Sequence, residues 1–205
     1  MIARQEQSEA LPSLLPKEFT NAMIESKEII IIAGSTWGVD EELLASSDVG
    51  AVRIVIVPHE ISEGHIGKIQ KLFPDSIRLS KIDRFQNEYV IIVDTIGKLF
   101  QLYKYADIAY VGGGFGAGVH NTLEAAVWGK PVICGPRHKR SKEISELVSH
   151  GGGFIVQNSE EFEAVFNKLH INADFRKTSG LNANEYVSKE RGSVELIAKA
   201  IEAFL

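Results

Sequence analysis

The sequence has few of the features that mark several large protein classes. It has one cysteine, Cys134, so its own chain supplies neither a disulfide framework nor a thiolate metal site. Cys134 lies inside the apolar run PVICG, which predicts a buried and inert thiol. No apolar stretch approaches the roughly 18 residues needed to cross a bilayer, and the start MIARQEQSEALP lacks the basic-then-apolar pattern of a secretory signal. We therefore expect a soluble chain.

Basic charge and the common cofactor motifs are also scarce. Lys and Arg number 22 against 27 Asp and Glu, and a formal net charge of -5 argues against a nucleic-acid partner. The chain contains no GxxxxGK[ST] segment, no DxD pair and no His/Cys cluster, so we expect no P-loop, no metal and no other cofactor. Among the classes of function considered, these absences favour binding or chemistry on a small molecule.

Short apolar runs alternate with longer amphipathic stretches, which is typical of βα units around a parallel sheet. With 205 residues, we expect one doubly wound, Rossmann-like α/β domain with helices on both faces. The domain should span 28–205, preceded by an incoming linker or helix over 1–27. Strands are predicted at 28–33, 52–58, 89–94, 107–113, 131–135 and 153–157, with a further short strand possible at 76–80.

Helices should fill the intervening segments, and ligands of such sheets bind beyond the carboxyl ends of the strands. The sequence pattern predicts helices at 40–47, 62–73, 96–106, 121–129, 141–150 and 159–169, with one or two more between about 181 and 205. Residues 1–16 have no clear period and contain two prolines, which favours a linker or incoming segment.

The strongest local feature is the stretch DIAYVGGGFGAGVHNTLEAAVWGKPVICGP. Its five glycines between Gly112 and Gly118 allow a sharp turn and close approach to a ligand, and the following helix presents amides to an anion. A tight strand-to-helix turn alone would also explain glycines here. The acidic residue of a dinucleotide fingerprint is missing, which disfavours a nicotinamide or flavin enzyme.

Polar residues follow the glycines. Asn121 and Glu124 have the spacing of a capping box, but Glu124 is equally suited to accept hydrogen bonds from sugar hydroxyls. His120 either donates to a phosphate or carboxylate or belongs to the turn.

Three more loops end at the same edge. AGSTWGVDEELL offers Gly34, Ser35 and Thr36, while Asp40, Glu41 and Glu42 are expected to cap and charge-complement the next helix. Trp37 either stacks in an exposed position or covers the core edge. His59 and Glu60 follow the second strand, and Asp94, Thr95 and Gly97 follow another.

The segment RHKRSK, residues 137–142, places five cationic or imidazole side chains at a predicted helix start. Positive charge there opposes the helix dipole, so an anionic partner and a solvated surface both remain possible.

The run from Asp107 through Glu143 resembles the bacterial 3-deoxy-D-manno-octulosonic acid (Kdo) transferases. It shows that family's glycine loop, HN, LE, and a GxPVIxGP strand followed by a KE-bearing helix. GSTW and VDTIGKLFQLY, which looks like the family's D[ST]xGxL segment, precede it in the right order. The similarity runs from about Glu28 to the carboxy terminus and is weak after about Gln157.

The resemblance implies the donor half of a two-domain GT-B glycosyltransferase that transfers Kdo from CMP-Kdo to a lipid A precursor in lipopolysaccharide biosynthesis. It implies no metal or other cofactor, and an acceptor site and base on an amino-terminal domain, so no catalytic residue is expected here and the chain alone should be inactive. The full-length protein would work at the cytoplasmic face of the inner membrane. The implied donor-binding residues are Ser35, Thr36, His59, Thr95, Gly97, Gly113, Gly114, Phe115, Gly116, His120, Asn121 and Glu124.

One segment departs from the family. Members often have arginine after the proline of VPRH, whereas this chain has His59 in VPHE. If that arginine grips the nucleotide, His59 must substitute in part, or Arg137 or Lys139 must serve. Three further functions therefore stay open: a donor half for a UDP-sugar, a sugar-nucleotide epimerase, or a non-catalytic nucleotide-binding module.

Overall fold

The computed structural model describes residues 1–10, 14–138 and 141–189, and their centre is a parallel β-sheet. Its strands lie in the spatial order β3-β4-β2-β1-β5-β6-β7. The strands are β1 (Ile29–Thr36), β2 (Val52–Pro58), β3 (Ser76–Arg78), β4 (Val90–Ile92), β5 (Ile108–Val111), β6 (Val132–Cys134) and β7 (Gly153–Ile155).

Helices cover both faces of this sheet. They are α1 (Ile2–Ala10), α2 (Lys17–Ile24), α3 (Gly38–Ser46), α4 (Glu63–Leu72), α5 (Leu99–Leu102), α6 (Leu123–Ala126), α7 (Lys142–Ser149), α8 (Ser159–Ile171) and α9 (Ala173–Lys189), with 3-10 turns at Leu79–Arg84 and Tyr103–Tyr105. The doubly wound α/β prediction is confirmed.

Two separate apolar cores explain why the strands are continuous apolar runs. On one face, Ile30 and Ile32 of β1 pack with α2, α5, α6, α7 and α9. On the other face, Ile31 and Ala33 of the same strand pack with α3, α4 and α8. A parallel strand buried on both faces needs apolar residues at successive positions, and the run IIIIA of β1 supplies them.

The predicted strands are all present, including the short one at 76–80, but two helices are shorter than predicted. The helix expected at 96–106 begins at Leu99 and becomes a 3-10 turn after Leu102. The one expected at 121–129 keeps regular geometry only over Leu123–Ala126, and Gly129 ends it with a φ of 68°. At the carboxy terminus α9 extends to Lys189, and the part of that prediction over 190–205 lies outside the described residues.

The first 24 residues form more secondary structure than their sequence indicated. α2 buries Phe19 and Met23 in the core, and the buried Arg53 of β2 donates to the Ala22 carbonyl over 3.1 Å, which ties α2 to the sheet. α1 has only half-buried and exposed side chains, with Ile2 packed against the core. The sequence predicted an incoming linker or helix over 1–27, and the described part of this segment contains the helices α1 and α2.

The strand order changes direction beside β1. After β1 the chain adds β2 on one side, and after β4 it crosses to add β5 on the other. The switch point therefore lies at the carboxyl ends of β1 and β5, which are neighbours in the sheet. In open parallel sheets such a switch point is where ligands bind.

Candidate functional site

At the switch point, the loops after β1 and β5 touch through their backbones. The Gly112 amide donates to the Gly34 carbonyl over 2.9 Å. A Cβ at Gly112 would lie 2.4 Å from the Ser35 carbonyl oxygen, so only glycine allows this approach. The end of β1 and the glycine-rich loop after β5 thus form one surface at the end of the sheet.

The end of β1 is irregular, and its two hydroxyl residues have different surroundings. The register against β2 shifts between Gly34 and Thr36, and Ser35 has a φ of 54°, which is unusual for a residue with a side chain. Ser35 is half-buried. Thr36 is completely buried, so of the two predicted ligands only Ser35 has an exposed surface.

The buried Thr36 hydroxyl belongs to a polar network beneath the site. It donates to the Glu41 carboxylate over 2.9 Å, and His65 Nε2 of α4 lies 2.9 Å from both Glu41 oxygens. Glu41 is only 1% exposed. Glu41 lies in the first turn of α3, as charge complementation requires, but its carboxylate contacts Thr36 of β1 and His65 of α4 rather than the amides of the helix start.

The expectation of a cap is confirmed for Asp40. Its carboxylate accepts the Trp37 amide over 2.9 Å at the start of α3. The same carboxylate also accepts the Gly113 amide over 2.9 Å and the Tyr110 hydroxyl over 2.6 Å. Burial and the Asp40 charge both raise the pKa of Tyr110, so its hydroxyl remains a donor.

Three rings cluster above the strand ends. Trp37 Nε1 donates to His120 Nε2 over 3.1 Å, which sets these two rings side by side. His59 stacks on both, with ring centroids 4.5 Å from Trp37 and 4.6 Å from His120. Trp37 is therefore half-buried in a stack rather than covering the core.

Burial, and after it the nearby His59, lower the pKa of His120, which favours a neutral ring. Because Nε2 accepts from Trp37, the proton of the neutral ring is assigned to Nδ1 from this hydrogen bond. His120 thus keeps one N–H donor, while His59 remains exposed at the surface.

The glycine loop, residues 112–118, is held from below and from one side. The Gly113 carbonyl accepts the amides of Gly116 and Gly118 over 2.9 and 3.0 Å. Within the described part of the chain, the Gly114 and Phe115 amides make no hydrogen bond. Two adjacent unpaired amides at a strand end suit an anionic group.

The loop after β6 closes that side. The Arg137 amide donates to the Gly114 carbonyl over 2.7 Å, and its guanidinium donates to the Gly116 carbonyl over 2.8 Å. Between the two loops lies a groove of about 490 Å³ lined by Gly116, Gly118, Arg137, His138 and others. Lys139 and Arg140, named in the basic segment, lie outside the described residues.

Asn121 and Glu124 do not form a reciprocal capping box. The Asn121 side chain accepts the Leu123 amide over 3.1 Å, so it caps the turn. The Glu124 carboxylate instead pairs with Arg4 of α1 at 2.6 Å, and the Arg4 guanidinium lies 4.3 Å from the centre of the Phe100 ring. Sequence alone gave no sign of this contact, because 120 residues separate its members.

The loop after β4 lies farther along the same edge. Asp94 accepts the Ser80 amide and hydroxyl over 2.9 and 2.5 Å and is therefore structural. The half-buried Thr95 has a buried hydroxyl without a partner in the described part of the chain, and Gly97 has a φ of 79°. The chain then passes beneath β1, where Tyr103 packs directly on Gly34.

Two further observations bound the chemistry of the described residues. Among them, no group of three or more His, Cys, Asp or Glu side chains is arranged to hold a metal, and no helix is long and apolar enough to span a membrane. Cys134 is buried as predicted, and burial raises the pKa of its thiol to about 12.

Comparison with known proteins supports the sequence resemblance. No protein-family model matches the chain. The 3-deoxy-D-manno-octulosonic acid transferase of Aquifex aeolicus is 33% identical over 154 residues, which are 71% of this chain and 43% of that protein. That of Chlamydophila psittaci is 46% identical over 83 residues, 39% of this chain and 19% of that protein. The resemblance to the Kdo transferases is confirmed. The chain spans less than half the length of these relatives.

Solved structures confirm the fold. The C-terminal CMP-Kdo binding domain of WaaA from Acinetobacter baumannii superposes with a TM-score of 0.70 at 20% identity, over 83% of this chain and 94% of that one. Anabaena HepE, solved in complex with UDP-glucose, gives 0.60 at 16% identity, over 93% of this chain and 54% of that one. The chain has the Rossmann-like fold of a GT-B half, like the carboxy-terminal domain of the Kdo transferases.

Proposed function

We propose that this chain is the donor-binding domain of a glycosyltransferase that transfers Kdo from CMP-Kdo to a lipid A precursor in lipopolysaccharide biosynthesis. The observation that carries the proposal is spatial. The segments that resemble the Kdo transferases, GSTW and GGGFGAGVHNTLE, lie far apart in the sequence and meet at the switch point of the sheet.

The amides of Gly114 and Phe115, which make no hydrogen bond to the described residues, would receive the phosphate of the donor. Ser35, at the irregular end of β1, has its backbone against Gly112 of the same loop, and its φ of 54° sets it apart from the regular strand. His120 adds the N–H that its bond to Trp37 leaves free. These groups are neutral donors, so they can stabilise charge without a buried cation.

The missing family arginine has a structural substitute in this proposal. His59 is held by stacking on Trp37 and His120, which leaves an exposed imidazole above the strand ends. Arg137 lies on the other side of the glycine loop, with its guanidinium anchored on Gly116. The donor phosphate would then lie between an imidazole and a guanidinium.

Glu124 would accept hydrogen bonds from sugar hydroxyls of the nucleotide, and Asn121 would hold the turn that carries it. Thr95 and Gly97, farther along the edge, complete the proposed set, and Thr95 brings a hydroxyl without a protein partner in the described range. Thr36 contributes through its buried bond to Glu41 rather than by touching the donor.

The reaction proposed for the whole protein is an inverting transfer without a covalent enzyme intermediate. An acceptor hydroxyl loses its proton to a base on another domain and attacks the Kdo carbon while CMP departs. The groups at the glycine loop would stabilise charge on the departing phosphate. No metal or other cofactor takes part in this proposal, and no nucleic acid is a partner.

The lipid A precursor would bind through an amino-terminal domain, at the cytoplasmic face of the bacterial inner membrane. A base and an acceptor held elsewhere mean that this chain alone should not catalyse transfer. Positioning of two reactants contributes about 7 to 11 kcal/mol in well-oriented cases, and a donor half alone forgoes it.

A second candidate is the donor half of a GT-B enzyme that uses a UDP-sugar. Two observations favour it: the fold similarity to HepE solved with UDP-glucose, and the histidine at position 59. A sugar-nucleotide epimerase or a non-catalytic nucleotide-binding module would need the same nucleotide site, but no particular contact in the described residues favours either one.

The test is a calorimetric titration of the purified chain with CMP, UMP and UDP. Preference for CMP supports the donor assignment, whereas preference for UDP would replace it with the second candidate. Incubation with CMP-Kdo and a lipid A precursor should give no transfer until an amino-terminal domain is added. Robust transfer by the chain alone would refute the half-enzyme proposal.

A further inference from the structure

Asp40 is a buried carboxylate with bonds beyond those that its helix requires. It is 1% exposed. Its Oδ2 atom accepts the amides of both Trp37 and Gly113, each over 2.9 Å, and its Oδ1 atom accepts the Tyr110 hydroxyl over 2.6 Å. The bond to the Trp37 amide caps α3, whereas the bond to the Gly113 amide does not contribute to the capping of α3. One oxygen atom therefore joins the loop after β1 to the loop after β5.

The Gly113 peptide is the anchor of the glycine loop. Its carbonyl accepts the amides of Gly116 and Gly118, which closes the turn, while its amide is fixed by Asp40. Gly113 has a φ of 87°, so this peptide orientation depends on glycine. A displacement of the Asp40 carboxylate would therefore move the whole turn from Gly113 to Gly118.

The other partner of the same oxygen leads to the rings. Trp37 donates through its indole to His120 and stacks on His59. The backbone of Trp37 is fixed by Asp40, so the placement of the ring cluster depends on the same carboxylate as the glycine loop. The two regions proposed to receive the donor share one buried support.

We infer that Asp40 is a positioning residue that sets the glycine loop and the Trp37–His59–His120 ring cluster in the relative arrangement required for donor binding. It acts through Gly113 and Trp37 and touches no donor atom. The inference rests on the proposed function only for the identity of the ligand. The coupling of the two loops belongs to the protein without ligand.

The charge of Asp40 matters as well as its shape. A carboxylate offers acceptors on both oxygens, whereas an amide of the same size offers one acceptor and turns an NH2 group toward the other side. In Asp40→Asn the amide oxygen can face the two backbone amides while the NH2 group donates to the Tyr110 hydroxyl, so the arrangement is kept but both backbone bonds lose their charge assistance. In the opposite orientation the NH2 group of the asparagine would face the two amide N–H groups, which would place donors against donors.

Tyr110→Phe is the matched control. It removes the partner of Oδ1 and leaves the Oδ2 bonds to both loops intact. The phenyl ring keeps its place against Phe162, 5.9 Å away between centroids. Both variants disturb the same buried carboxylate, but only Asp40→Asn disturbs the link between the loops.

The first readout uses the protein without ligand. In ¹⁵N-resolved NMR spectra, Asp40→Asn should shift the Trp37 and Gly113 amide signals together, and Tyr110→Phe should leave both nearly unchanged. The second readout is the CMP affinity per folded molecule. It should fall about tenfold or more in Asp40→Asn, as expected for loss of charge-assisted hydrogen bonds, and stay within about twofold in Tyr110→Phe.

Equal losses of affinity in both variants would overturn the inference, because a merely structural carboxylate predicts that result. So would a shift of only one of the two amide signals. If Asp40→Asn does not fold, amide exchange of the wild-type chain decides: a shared support predicts matching exchange rates for Trp37 and Gly113, and independent rates refute it. Failure of the wild-type chain to bind CMP would count against the proposed function alone.

Discussion

Gly114 and Gly116 separate two explanations for the glycine loop, tight packing and ligand contact. A Cβ at Gly114 would lie 2.6 Å from the backbone nitrogen of Gly135 and 2.7 Å from its Cα atom. A Cβ at Gly116 would meet only the Gly113 carbonyl oxygen, at 3.7 Å, an ordinary contact. The first glycine is required by the fold, and nothing in the described protein requires the second.

The expected stabilities follow from these distances. Gly114→Ala forces backbone against backbone and should destabilise the protein by about 1–3 kcal/mol, the usual range for overpacking. For a chain of this size each kcal/mol corresponds to a melting temperature lower by about 2–4 °C. Gly116→Ala has no such clash and no left-handed φ, so restriction of the unfolded chain should stabilise it by about 0.4–1 kcal/mol.

For Gly116→Ala we expect a lower affinity for CMP, although we expect a higher stability. It lines the groove beside Arg137, and a methyl group there would occupy space that the donor needs. One added carbon in a fitted pocket changes affinity by about tenfold or more. We expect Gly116→Ala to be folded and at least as stable as the wild type, yet to bind CMP at least about tenfold more weakly.

Urea denaturation and calorimetric titration with CMP measure the two quantities separately. Unchanged CMP affinity in a stable Gly116→Ala protein would show that the donor does not approach this loop. A wild-type melting temperature for Gly114→Ala would show that the contact between Gly114 and Gly135 is looser than the structure indicates.

Three further predictions concern the carboxylate and histidine of the site. Glu124→Gln should weaken CMP binding about fivefold, because a charged acceptor is worth about 1 kcal/mol more than a neutral one. The free energy of unfolding should change by under about 1 kcal/mol, since the pair with Arg4 lies at the surface. A collapse of the melting temperature with unchanged CMP affinity would refute this prediction. Arg4→Ala should raise CMP affinity in the same titration by freeing the Glu124 carboxylate, and a lower affinity would show instead that Arg4 contacts the donor. The pKa of His120 is lowered in the folded protein, so the unfolded chain binds a proton at this residue at a higher pH than the folded chain does. The stability that the neutral ring contributes is therefore present above about pH 6.5 and is lost as the pH falls through the folded pKa. Denaturation between pH 7.5 and 5 should show a smaller loss of stability for His120→Gln than for the wild type or for the exposed control His150→Gln.

The strands could be predicted from sequence because their signal is local. A strand covered on both faces must be apolar at successive positions, and the runs IIIIA (29–33) and IVIV (54–57) meet that condition within a few residues. The position of the site followed from the same pattern, because parallel strands bring their carboxyl ends to one edge. A sharp turn at the glycine loop could be predicted for a similar reason, since its five glycines lie within seven residues of the sequence.

The roles of individual carboxylates could not be predicted, because they depend on contacts between distant segments. Asp40, Glu41 and Glu42 look equivalent in sequence as acidic residues at a helix start. In the structure Asp40 faces Gly113, Glu41 faces His65, and Glu42 is exposed. Likewise the pairing of Glu124 with Arg4 depends on where α1 lies, and the sequence of α1 carries little information about its packing.

The buried carboxylates explain how an acidic chain could offer the anion-binding surface proposed above. Asp40 accepts three internal hydrogen bonds, and Glu41 accepts from a threonine and a histidine, so both charges are directed into the protein. Asp40 accepts the Gly113 amide and so fixes the loop that carries the Gly114 and Phe115 amides, which make no hydrogen bond to the described residues. The negative charge of Asp40 is thus used to orient donors rather than to repel a ligand. In the proposed function, affinity for the donor phosphate would depend on the geometry of amides and imidazoles, and the net charge of -5 would be no obstacle to it.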